Sequence, residues 1–150
     1  MRLFLLFLVF TQISLSTAFT DHFLFSFELR CNIQKEWKYD MVFREDDGWL
    51  HHDIVGPRLQ NSTTLPKLTF EVEGEMYGDA GWSYEPYFEI WHTCTNDNKN
   101  VLLKSYLPTV LIEKEWYQIL FNLDLTEQGE IPYQEAIVLT GKWKKNRKPI

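Results

Sequence analysis

Apolar and polar side chains alternate along most of this chain, and a period of two is the mark of β-strands buried on one face. Phe23, Phe25, Phe27, Leu29 and Cys31 share one face of the first run, against Leu24, Ser26, Glu28 and Arg30. Tyr39, Met41 and Phe43 define a second run, and Leu68, Phe70 and Val72 a third. Phe88, Ile90, His92 and Cys94 share a face of the fourth. A longer one carries Tyr117, Ile119, Phe121, Leu123 and Leu125; Ala136 to Thr140 reads as the last, and Val101 to Tyr106 as a weaker one. Helix signals are few, with one short turn at most in 109–116. Several short strands separated by turns predict an all-β sandwich or barrel.

Both cysteines, Cys31 and Cys94, fall on predicted inward faces of different strands. An even count in an oxidising compartment predicts one internal disulfide. Turn residues punctuate the strands at Asp46-Asp47-Gly48, Thr95 to Asn100 and Gln128-Gly129. The segment from Met76 to Tyr84 is read as a Gly-rich aromatic loop, with Met76, Tyr77, Trp82 and Tyr84 as candidate partner-binding residues. Large aromatic side chains offer much contact area at little entropic cost. The plainer alternative is a loop folded back to cap the sandwich.

The amino terminus has the form of a secretory leader. Arg2 precedes an apolar run from Leu3 to Phe10, and small residues at Ser16 and Ala18 set a cleavage site after Ala18. The run is much shorter than the roughly 20 residues that span a bilayer. Residues 1–18 are thus expected to be a signal peptide, 19–141 one domain, and 142–150 a basic tail. No membrane-spanning segment is expected, and the location implied is extracellular. Charge is divided unevenly. The chain carries a net charge of −6, yet Lys142, Lys144, Lys145, Arg147 and Lys148 cluster at its end. Without the five tail cations and Arg2, the body between carries about −12. An acidic body repels phosphate backbones, which argues against a nucleic-acid partner. The tail is a candidate contact for an anionic surface such as lipid head groups, or simply a solvated end.

The segment from Glu85 to Cys94, with Pro86, an alternating strand and His92-Thr93-Cys94, resembles the signature of the nematode transthyretin-like family. Leu29-Arg30-Cys31 matches that family's earlier Leu-x-Cys, and Asn96-Asp97-Asn98, Pro108 and Leu123-Asp124-Leu125 match its later features. The similarity covers about Phe23 to Gly129. The chain departs from the pattern at Phe27, where the family has glycine, and at Lys35-Glu36, in the region of its Pro-Ala pair. The resemblance implies a transthyretin-like or immunoglobulin-like sandwich of two antiparallel sheets, no cofactor, and roles in recognition at cell surfaces.

Other candidate residues carry plainer readings. His92 points inward and is expected to be a core histidine, with a pH-sensitive latch as the sharper alternative. His51, His52 and Asp53 could share a metal only in a loop, and a solvated loop is the default, so no metal is expected. Asn61-Ser62-Thr63 is an N-glycosylation sequon in a polar stretch. Neither a Gly-x-Ser-x-Gly nor a His-Glu-x-x-His motif is present. Transthyretin-fold hydrolases of purine breakdown end in Tyr-Arg-Gly-Ser, whereas this chain ends Arg147-Lys148-Pro149-Ile150. The expected function is extracellular binding or adaptor work toward a protein, lipid or cell-surface partner, without catalysis. The alternatives are a small-molecule carrier built on an oligomeric channel, as in transthyretin, and, least favoured, a hydrolase.

Overall fold

The computed structural model describes residues 20–141, apart from 34, 47, 49–53, 78–81, 114–115, 130 and 132. The leader at 1–18, the His51-His52-Asp53 cluster, the centre of the Gly-rich loop and the basic tail lie outside the described residues. The ten strands are β1 (Thr20–Arg30), β2 (Trp37–Glu45), β3 (Leu59–Thr63), β4 (Lys67–Tyr77), β5 (Ser83–Tyr84), β6 (Pro86–His92), β7 (Val101–Tyr106), β8 (Val110–Leu111), β9 (Trp116–Asp124) and β10 (Ile137–Gly141). One sheet has the order β10-β9-β1-β4 and the other β3-β2-β6-β7, while β5 and β8 form a separate two-stranded ribbon.

Period-two alternation places the aromatic residues of both sheets in one interior. Phe25 of β1 stacks on Phe43 of β2, with ring centroids 4.1 Å apart. Phe88 of β6 stacks on Phe121 of β9 at 5.3 Å, and Phe121 in turn stacks on Phe27 of β1 at 5.1 Å. Each full burial of such a side chain stabilises the fold by about 1.5–3 kcal/mol, and each ring pair adds ~0.5–1.5 kcal/mol. Cys31, just past β1, and Cys94, just past β6, are bridged with Cα atoms 5.8 Å apart, so the disulfide ties one sheet to the other.

Three features differ from the sequence reading. The sandwich is not wholly antiparallel, because β1 and β9 pair in parallel from His22↔Trp116 to Arg30↔Asp124. Parallel neighbours need a long crossover, and here most of the chain lies between them. The polar stretch around Asn61, given no strand in the sequence reading, is strand β3, paired with β2. Residues 110–111 form β8, and 109–116 holds no helical turn among its described residues.

Gly56 shows how tightly one flank is closed. Its φ is +84°, and a Cβ there would sit 2.6 Å from the Glu73 carbonyl oxygen. Only glycine fits a left-handed turn so close to a neighbouring backbone. That turn drives Val55 into the core, where its amide donates to the Phe43 carbonyl at 2.9 Å.

Candidate functional site

At the end of the sandwich where β1 begins and β4 ends, the β5–β8 ribbon is held by two tyrosines. Tyr84 is fully buried, and its hydroxyl donates to Asp21 Oδ2 at 2.8 Å. Its ring meets Phe23 edge-on at 5.4 Å. Burial, and then the Asp21 carboxylate, push the Tyr84 phenol strongly above its ordinary value. Tyr117 of β9 donates its hydroxyl to the Leu111 carbonyl at 2.6 Å and accepts from the Glu113 amide at 3.2 Å. The ribbon is thereby fastened to β1 through Tyr84 and to β9 through Tyr117.

What the ribbon presents is apolar. Trp82, the residue before β5, is 88% exposed, although its carbonyl is fixed by the Ile112 amide at 3.0 Å. Leu111, paired with Ser83, is 61% exposed. Tyr77, at the end of β4, is 52% exposed. The four aromatic-loop candidates therefore separate. Trp82 and Tyr77 face solvent, whereas Met76 and Tyr84 are core residues at 1% and 0% exposure. The correction has a simple cause. β4 runs to Tyr77, so strand alternation continues through Gly74 and turns Met76 inward, while Tyr84 finds its partner in Asp21.

A shallow groove of about 370 Å³ opens beside β1 and β4, lined by His22, Glu73, Glu75, Tyr77 and Trp116 among others. His22 Nδ1 lies 3.4 Å from Glu75 Oε1, and the Tyr77 hydroxyl donates to Glu75 Oε2 at 3.2 Å, which raises the Tyr77 phenol. A second groove of about 620 Å³ runs over the other sheet past Trp91, Asp40, Arg58 and Gln60. Arg58 and Asp40 pair there. Sequence reading missed both grooves, since each is assembled from strands distant along the chain.

His92 is completely buried, as its inward register predicted. Its Nδ1 accepts the Cys94 amide at 3.2 Å, and burial lowers its pKa, opposed by the nearby Gln128 backbone. Asn61 is exposed on β3, and its side-chain oxygen accepts the Ser62 amide at 2.8 Å. Among the described residues, no group of three or more His, Cys, Asp or Glu is placed to hold a metal, and no helix is long and apolar enough to cross a membrane.

Residues 26–134 match the model of a family described as "Caenorhabditis elegans protein of unknown function (DUF870)". The match supports a nematode family and does not extend to the transthyretin-like one. No curated protein matches the chain. A solved chain described as "a putative cell adhesion protein from Bacteroides ovatus" is similar at 9% identity with a TM-score of 0.36. The similarity covers 85% of this chain and 46% of that one, so the present chain spans about half of its length. So loose a likeness carries no argument about topology or role.

Proposed function

We propose that this chain, which belongs to that Caenorhabditis elegans family, is a secreted binding protein that grips an extracellular protein partner through the aromatic end of its sandwich. The observation that carries the reading is Trp82, almost wholly exposed on a ribbon that two buried tyrosines fasten to the core. An aromatic on a backbone already held in place loses only side-chain freedom on binding, and tryptophan is among the side chains most often found at the energetic centre of interfaces. Leu111, paired with Ser83 next to Trp82, widens the apolar contact. Secretion is supported by the leader pattern of residues 1–18 and by a closed Cys31–Cys94 bridge, which persists in oxidising compartments. We assign the protein no catalytic role. A transthyretin-like ancestry is our reading of Leu29-Arg30-Cys31 and His92-Thr93-Cys94, and the bridge between the two motifs is its support.

The test compares binding of labelled wild-type and Trp82→Ala protein to the surface of nematode cells. A residue worth 2 kcal/mol at an interface centre weakens binding on the order of 30-fold when removed. Equal binding by the two proteins, with both folded, would reject the ribbon as the contact.

A further inference from the structure

A sandwich of two open sheets has four edge strands, and an unguarded edge is a template for pairing with another chain. The present edges are β10 and β4 in one sheet, and β3 and β7 in the other. Two of the four have a visible guard. β4 carries Glu71, Glu73 and Glu75 exposed on its outer face. β7 is overlain where Tyr133 bridges to Tyr106 and the Gln134 amide donates to the Tyr106 carbonyl at 2.8 Å. β10 is five residues long, carries no charge of its own and exposes Ile137 and Leu139, and in sequence it is followed by the lysine-rich end of the chain. β3 is different. Its residues, Leu59-Gln60-Asn61-Ser62-Thr63, include no charge, no proline and no glycine, and Leu65 just beyond it is 56% exposed. Arg58 and the prolines at 57 and 66 lie beyond its ends, and within the strand no residue opposes strand addition. Asn61 of the sequon on this strand is an exposed residue, and its side chain hydrogen-bonds Tyr39 and the Ser62 amide.

We propose that Asn61 carries an N-linked glycan and that the glycan guards the β3 edge against pairing with a second copy of the chain. A bulky hydrated oligosaccharide on the edge strand fills the space that an incoming strand would occupy, doing for β3 what charge does for β4. Attachment forms one bond, between Asn61 Nδ2 and the reducing-end carbon of a lipid-linked oligosaccharide. The amide gives up one proton and the lipid diphosphate leaves. The inference rests on the secretion reading, because the donor lipid and its transferase act in the secretory pathway.

The test uses the full chain expressed with its own amino terminus in a secreting eukaryotic host. The secreted protein is expected to carry glycan mass at Asn61 and to elute as a monomer. Asn61→Gln is expected to shift toward a dimer as concentration rises. Asn61→Lys, which has no glycan but restores a charge to the edge, is expected to return to monomer. Secretion without glycan at Asn61 would overturn this inference alone, and retention inside the cell would overturn the secretion reading with it. A glycosylated protein whose Asn61→Gln variant stays monomeric at every concentration would overturn the guarding role.

Discussion

Removing a single oxygen atom in Tyr84→Phe tests whether the ribbon is fastened as described. Asp21 is completely buried, and the Tyr84 hydroxyl at 2.8 Å is its partner; the other carboxylate oxygen makes no hydrogen bond among the described residues. The phenylalanine ring keeps the Phe23 contact, so the loss is confined to the hydrogen bond. Losing a bond to a carboxylate costs about 1.5–3 kcal/mol, and a buried acceptor left without a donor places the variant in the upper half of that range. In a domain of roughly 120 residues, 1 kcal/mol moves the melting temperature by about 4 °C. The expected fall is therefore about 9–12 °C by calorimetry, with faster amide exchange at Tyr84 and Val110. Asp21→Ala removes the same bond, so the double variant should lose clearly less than the sum of the two single losses. A Tyr84→Phe protein melting within about 2 °C of wild type, with unchanged exchange in the ribbon, would refute the reasoning.

The remaining predictions concern the core. Cys94→Ser opens a bridge that spans 63 residues of chain and should cost about 4 kcal/mol in the loop-entropy account; equal denaturant midpoints in non-reducing buffer would contradict this. Met76→Ala should cost about 2–5 kcal/mol because Met76 is core, while Trp82→Ala should stay within about 0.5 kcal/mol; urea melts in which the two variants rank the other way would reverse their placement. His92 is buried with a lowered pKa, so the unfolded chain takes up its proton first. Stability should be fully present above about pH 6.5, the ordinary histidine value, and should decline as pH falls from there through the lowered folded value. His92→Phe should flatten that part of the profile, and an unchanged slope in urea titrations at several pH values would exclude His92 as its source.

The strands that form the interior were legible because burial on one face imposes alternation directly on the residues. Phe23 to Leu29 and Tyr117 to Leu125 are clear cases. β3 was not legible, since an edge strand lying largely in solvent has no buried face to write a pattern with; its residues are exposed or half-buried throughout. The parallel pairing of β1 with β9 leaves no local trace either, because register between distant strands is set by the packing of the whole sandwich. Glycine spacing misplaced Met76 and Tyr84. Gly74, two residues before the segment read as a loop, sits within β4, facing inward, where a Cβ would meet Val55 Cγ1 at 2.6 Å. It marks a close approach of two segments rather than a turn. Of the candidate site, Trp82 and Tyr77 were visible as residues, but the ribbon that fixes Trp82 depends on contacts from Asp21 and Tyr117, which no local spacing encodes.

Action outside the cell is the premise on which the partner, the glycan and the bridge all depend. Its most direct measurement is the intact mass of the protein recovered from the medium of secreting cells, before and after reduction and alkylation. The predicted result is a chain that begins at Phe19 and has no thiol to alkylate until it is reduced. A product found only inside the cell, retaining Met1 and with Cys31 and Cys94 alkylating without reduction, would contradict it.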